Sequence, residues 1–163
     1  MFEPGDAIIH PMRGAGIVVQ IEERQWQGND ALYYRIKLIG QPGTSLMVPV
    51  SAAEEIGLRR AITQSELKNV WRVLRADPET LPADHKTRYK LLEDKLHTGD
   101  ALRVAEAVRD MAWRKKRQGS LTTMGKRIYR EGLTILAGEI AATQGDELAN
   151  AEAQIRAKLE EAV

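Results

Sequence analysis

The side chains able to do chemistry are few and scattered. Histidines stand at 10, 85 and 97. No two lie four apart and no HExxH-like spacing occurs, so they form no recognisable metal site. Cysteine is absent, which removes disulfides, thiolate metal ligands and Cys nucleophiles together. Gly14-Ala15-Gly16 lacks the third glycine of a dinucleotide fingerprint and the Lys-Ser/Thr of a phosphate loop. It reads as a turn into a strand that needs positive φ. No serine lies in a nucleophile-elbow pattern. Glu22-Glu23, Glu54-Glu55 and Glu160-Glu161 are adjacent in sequence, so their side chains point apart on a helix or a strand. No catalytic constellation remains. The expectation is a non-enzyme that needs neither cofactor nor metal.

What is left is cationic chemistry, in two clusters. The first is His85-Lys86-Thr87-Arg88-Tyr89-Lys90, after a proline-containing loop. Lys86 and Lys90 share a helix face, Arg88 sits to one side, and Tyr89 is expected to turn inward. The second is Trp113-Arg114-Lys115-Lys116-Arg117, continued by Lys126-Arg127 and Arg130 beyond a break. Cations near helix ends can reach phosphate oxygens with little strain. Each phosphate neutralised on duplex DNA adds about 0.9 to the log–log salt slope. A second reading needs no ligand: last-turn cations favour the helix dipole by roughly 0.3–1 kcal/mol. Pattern alone leaves both standing. Trp113, at the edge of an apolar stripe, reads as packed rather than inserted between bases.

Two kinds of element must position these residues. The first fifty residues look like strands: Ala7–Ile9, Ile17–Ile21, an alternating Leu32–Leu38, and Leu46–Val50. Gln27–Asp30 and Gly40–Gly43 are turns between them. Four or five short strands suggest a small closed or half-closed antiparallel barrel. From about residue 51 the period becomes helical. Thr63 and Glu66 have capping-box spacing ahead of a stripe of Leu67, Val70, Trp71 and Leu74. Asp84 can cap a helix over about 85–97 that carries Tyr89, Leu92 and Leu96. Leu102, Ala105, Val108, Met111 and Ala112 form the next stripe. Ile128, Leu133, Leu136 and Ile140 mark a helix over about 123–142. Leu148, Ala151, Ile155 and Leu159 mark the last. The fold class is therefore α+β in two domains: a β-barrel over 1–55 and an all-α domain of about five helices over 60–163.

At 163 residues, 43% hydrophobic and 29% charged, the chain should fold rather than stay disordered. Its net charge of +1 hides strong segregation. Residues 86–130 carry 13 Lys/Arg against 5 Asp/Glu, a net +8, and residues 131–163 carry 2 against 7, a net −5. So basic a segment suits an anion-facing surface, or else a solvated face with its counter-charges elsewhere in the fold. The start, MFEPGDAIIH, lacks a basic region followed by a long apolar run, and no stretch approaches about 18 apolar residues. A cytoplasmic protein without a membrane partner is expected.

Several short motifs in order point to a family. Gly5-Asp6-x-x-x-His10-Pro11-x-x-Gly14-x-Gly16 resembles the opening of the CarD/CdnL family of bacterial transcription regulators. Val48-Pro49 followed by Glu55-x-Gly57-Leu58-Arg59 resembles the end of its N-terminal domain. Arg88-Tyr89-Lys90, Leu96-x-x-Gly99-Asp100, Val104-Ala105-Glu106-x-Val108-Arg109-Asp110 and Lys126-Arg127 resemble its C-terminal helices. The resemblance covers about residues 1–142. It implies a Tudor-like domain that binds the β subunit of RNA polymerase and a helical domain that contacts promoter DNA at the upstream edge of the bubble. Together they would stabilise the open complex without chemistry of their own, and the protein is expected to act as a monomer.

By that resemblance Arg24, Met47, Val48 and Pro49 would face polymerase, Met47 standing where members commonly carry an Arg. Arg88, Lys90 and Lys126, with His85 at a wedge position, would face DNA, and the charge pattern adds Lys86, Arg114 and Arg127 to that surface. Several members place a Trp at the position of His85, a wedge that offsets unstacking of a few kcal/mol per step. A smaller, polar imidazole should hold the bubble less well. That keeps a second reading open, an adaptor that binds polymerase and hardly touches DNA. The helix after Gly145 extends past the family's core length.

Overall fold

The computed structural model describes residues 1–161. The chain divides into two compact units: residues 1–61 with 138–148, and residues 62–137 with 149–163. No described helix is long and apolar enough to cross a membrane.

The first unit is a five-stranded antiparallel sheet, as a Tudor-like domain requires. Its strands are β1 (Ala7–His10), β2 (Gly14–Trp26), β3 (Asn29–Leu38), β4 (Ser45–Pro49) and β5 (Arg59–Arg60), with a short helix α1 (Ala53–Ile56) ahead of β5. They pair in the order β4-β3-β2-β1-β5, so β4 and β5 are the two ends. The β2–β3 hairpin closes on Gln27 and Gly28, both at positive φ, the backbone that matches the right-handed strand twist. A register shift falls between Val18 and Gln20. This bulge lets Val18 enter the core while Val19 stays 44% exposed. Gly16 packs so tightly that a Cβ there would lie 2.6 Å from Ile36 Cγ2. The core is Ile8, Val18, Tyr34, Ile36, Leu38, Val48, Ala53 and Leu58. Tyr34, Ile36 and Leu38 follow the expected alternation, but Leu32, near the turn of the hairpin, is 45% exposed.

The same unit takes in residues 138–148, a contribution outside the expected 1–55 segment. Gly138 approaches Ala15, where a Cβ would sit 3.5 Å from its Cβ. Arg59 donates from both terminal nitrogens to the two carboxylate oxygens of Glu139, at 2.8 and 2.9 Å. Glu139 is buried, so this fork is what makes its charge tolerable there.

The second unit holds α2 (Gln64–Arg75), α3 (His85–Leu96), α4 (Ala101–Gln118), α5 (Thr123–Gln144, through residue 137) and α6 (Leu148–Glu161, from residue 149). Four helices start on a side chain that satisfies an orphan N–H. Thr63 accepts from Glu66 N, Asp84 from Thr87 N, Asp100 from Leu102 N, and Thr122 from Gly125 N, at 2.9–3.1 Å. Gly119, at φ 81°, terminates α4 in the left-handed conformation. The core is aliphatic: Leu67, Val70 and Leu74 from α2, Leu92 and Leu96 from α3, Val104, Val108 and Met111 from α4, Ile128, Leu133 and Leu136 from α5, and Ile155 from α6. Each such side chain contributes about 1.5–3 kcal/mol on burial. Leu102, expected in the α4 stripe, is 36% exposed; Val104 is buried instead.

Candidate functional site

The sheet's outer face assembles from directly opposed residues. Arg35 lies across from Gln20 on one side and Met47 on the other, and Tyr33 lies across from Glu22 and Pro49. Arg24, two residues beyond Glu22, shares this face. Glu22 is its hinge. Arg35 reaches its carboxylate at 2.6 and 3.1 Å, and Arg24 at 3.1 Å. The Arg35 hydrogen bond, with Arg24 and both positive charges, holds the Glu22 carboxyl below its ordinary pKa. Three of the four sequence-predicted polymerase residues, Arg24, Met47 and Pro49, therefore lie on one surface. Val48 points the other way into the core at 2% exposure, so only its backbone is available. That backbone belongs to β4, an end strand of the sheet.

In the helical unit, the helix starts gather the cations. Asp84 caps α3, and its carboxyl is held below its ordinary pKa, first by the Thr87 hydroxyl and then by the Thr87 N–H. His85 and Lys86 are exposed in the first turn of α3, and His85 meets Tyr89 edge-to-face. Tyr89 shares a hydrogen bond with Thr122 Oγ1, the atom that caps α5. This clasp ties the first turns of α3 to the start of α5, and Arg127 in turn reaches Glu93 farther along α3. The bond from Thr122 also lowers the Tyr89 pKa. Arg114, half-buried, joins them by lining a cleft of about 270 Å³ with Tyr89, Ser120 and Thr122. Among the described residues, Lys86, Arg114 and Lys126 make no ion pair.

Other predicted DNA residues are placed differently. Arg88 is buried at 5% exposure and donates from Nη1 to the carbonyls of Pro82 and Ala83, both at 3.1 Å. Its guanidinium lies 5.2 Å from the centre of the Tyr89 ring. Thus Arg88 turns inward and Tyr89 is half-buried, the reverse of the sequence expectation. Lys90 pairs with Asp94 at 3.2 Å and Arg127 with Glu93 at 3.6 Å, both largely exposed. Exposed pairs of this kind contribute about 0–1 kcal/mol and yield readily to a phosphate. Trp113 is 38% exposed rather than packed. Sequence reasoning missed the Tyr89–Thr122 clasp; the sole local signal was Thr122 standing at an N-cap position before α5.

Among the described residues no cluster of three or more His, Cys, Asp or Glu could hold a metal ion. With this geometry in hand, comparison with known proteins becomes informative. Residues 2–62 match the CarD-like/TRCF RID domain family, and residues 69–156 match the family CarD, C-terminal domain. The chain is also 30% identical over 145 residues to a Bacillus subtilis (strain 168) protein named "Putative transcription factor YdeB". The match covers 89% of this chain and 94% of that protein.

Proposed function

This chain belongs to the CarD family of transcription regulators, and from that premise we propose that it bridges RNA polymerase and promoter DNA. The N-terminal match is to a family of RNA polymerase-interacting domains. In this reading the sheet docks on the polymerase β subunit through Arg24, Met47 and Pro49, with the β4 edge, including Val48, offering unpaired backbone for strand addition. The division of labour follows the sequence reading: a polymerase module over about 1–55 and a DNA module from about residue 60.

The helical module places Lys86, Lys90, Arg114, Lys126 and Arg127 on phosphates beside the melted region. His85 stands at the duplex edge, and Arg88 supports α3 from within. The protein acts by binding, with no chemical step. Docking on polymerase raises the local concentration of a weak DNA contact enough to make it effective. One observation supports this reading: at three helix ends Lys86, Arg114 and Lys126 carry no carboxylate partner among the described residues. The experiment is the lifetime of the open complex on a promoter, with and without the protein. The protein should lengthen it, and Lys86→Ala with Lys126→Ala should remove most of the gain. An unchanged lifetime with the wild-type chain overturns the proposal.

The burial of Arg88 favours a second reading, an adaptor that binds polymerase and hardly touches DNA. A gel shift at low salt separates the two. Binding that fades steeply as salt rises supports the bridge, and no binding supports the adaptor.

A further inference from the structure

Asp110, on α4, is 2% exposed, yet one of its oxygens is idle. Oδ1 accepts from Glu79 N and Arg109 Nε, both at 3.0 Å. Oδ2 is buried with no hydrogen-bond partner among the described residues. A buried acceptor left without a donor costs about 1–3 kcal/mol, and native folds rarely keep one without use. Asp110 lines a cleft of about 330 Å³ with Trp113, Arg114, Arg117 and Gln118. That volume lies within the roughly 300–1,000 Å³ range of small-ligand sites.

These residues succeed one another along α4 at helical spacing. Asp110 is followed by Trp113 and Arg114 one turn on, and by Arg117 and Gln118 two turns on. The lining therefore runs from a carboxylate residue, to an indole, to cations. Trp113 is 38% exposed. Arg114 and Arg117 form no ion pair among the described residues, so both can meet an anion. A metal ion is disfavoured, because the one idle oxygen lies beside the Arg109 guanidinium. The complement of this arrangement has a neutral N–H donor at one end, a flat ring in the middle and a phosphate at the other end.

We propose that this cleft binds a nucleotide whose base carries an exocyclic amino group, with the amine on Asp110 Oδ2, the base on Trp113 and the phosphate on Arg114 and Arg117. Oδ2 is shielded from solvent, so the amine reaches it when the exposed Glu79–Thr80 segment, which lines the cleft and is held to Asp110 Oδ1 by the Glu79 N–H, moves outward. The same chemistry is offered by a free nucleotide and by an unstacked base of single-stranded DNA. Base–aromatic stacking suits either source.

The test is an NMR titration of the full chain, following the Trp113 indole N–H and the backbone amides of Arg114 and Arg117, which line the same cleft and also report in Trp113→Ala. The probes are adenosine, guanosine, cytidine and thymidine 5′-monophosphates, inorganic phosphate, and single-stranded octamers of dA and of dT. Saturable shifts are expected, with amine-bearing probes about tenfold tighter than their thymine counterparts and than phosphate. Response to mononucleotides assigns a free ligand; response to dA octamers alone assigns a DNA strand. Trp113→Ala, at an exposed position, should weaken binding about tenfold. Asp110→Asn should abolish the preference for amine-bearing bases. No Trp113 shift with any probe, equal affinity for inorganic phosphate (an adventitious ion only), or undiminished affinity in Trp113→Ala overturns the proposal. No probe involves polymerase or duplex DNA, so the outcome is independent of the open-complex result.

Discussion

The candidate surfaces of the two units use arginine and lysine in opposite ways. In the sheet unit, Arg24 and Arg35 converge on Glu22, Arg59 forks onto Glu139, and Arg60 meets Asp6 at 2.8 Å. Their positions are fixed by the fold's own carboxylates. At the helix ends of the other unit, Lys86, Arg114 and Lys126 have no such partner among the described residues. A paired guanidinium is a shaped surface, suited to a partner that reads geometry at short range. An unpaired one is available charge, suited to a polyanion whose counterions it displaces. The same residue types therefore predict different responses to mutation and to salt in the two halves.

The largest expected effect lies in the sheet unit. Arg59→Ala leaves Glu139 buried with its main counter-charge gone, and truncating one member of a buried pair typically costs about 3–5 kcal/mol. Denaturant unfolding of the full chain should show a loss near the low end, because Arg59 is itself 35% exposed at the side chain. The salt slope of DNA binding should not move. An unchanged midpoint would mean that Glu139 is neutralised some other way, and the contrast would fail on its sheet side.

Next in size is the helical unit's response to salt. Lys86→Ala and Lys126→Ala should each lower the log–log slope of DNA affinity by about 0.9 and leave unfolding unchanged. The pairing of Lys90 and Arg127 with carboxylates sharpens this. Their alanine variants should lose less than the unpaired positions, because in the wild type part of each phosphate contact is offset by giving up the pair with Asp94 or Glu93. Equal losses at all four positions would show that exposed ion pairs do not attenuate phosphate contact here.

Arg88 and Lys90 test the same contrast within one helix turn. Arg88→Ala strands the carbonyls of Pro82 and Ala83 and should cost about 1–3 kcal/mol of stability with no change in slope. Lys90→Ala should do the reverse, lowering affinity while stability holds. A slope change in Arg88→Ala that exceeds the one in Lys90→Ala would return Arg88 to the DNA surface.

These assignments also mark what the sequence could and could not reveal. The apolar stripes of α2 and α5, the strand alternation of β3 and the caps at Thr63 and Asp84 were legible because each signal is local and periodic. The phase of α4 was not. Its buried face includes Ala101, Ala105 and Ala107, whose small side chains carry little hydrophobic signal, so Leu102 was read inward. The inversion of Arg88 and Tyr89 has a different cause: the carbonyls that draw Arg88 in belong to a loop whose path no periodicity encodes. Arg59 and Glu139 stand 80 residues apart, and a pair at that separation has no local trace. In the candidate site, the two basic runs that hold Lys86 and Lys126 were legible from charge density, whereas the Tyr89–Thr122 clasp that joins their helices was not.

The smallest effect lies at the β1–β2 hairpin tip, where the sheet unit uses a titratable acceptor instead of an ion pair. His10 Nδ1 accepts from Met12 N at 3.0 Å and Arg13 N at 3.1 Å. Burial, then the Arg13 charge, pushes the His10 pKa below its ordinary value. The folded tip therefore favours neutral imidazole. Its contribution is full above the ordinary histidine pKa and declines as pH falls from there toward the lower folded value, where Nδ1 gains a proton and both amides lose their acceptor. Amide exchange at Met12 and Arg13, corrected for intrinsic rates, should accelerate across that window while Leu67 in α2 stays protected. His10→Asn keeps a side-chain oxygen in reach of the same amides and should make their protection independent of pH. Wild-type protection that is already flat with pH would mean that the tip holds without its histidine, and that the sheet unit's polar contacts rest on arginine–carboxylate pairs alone.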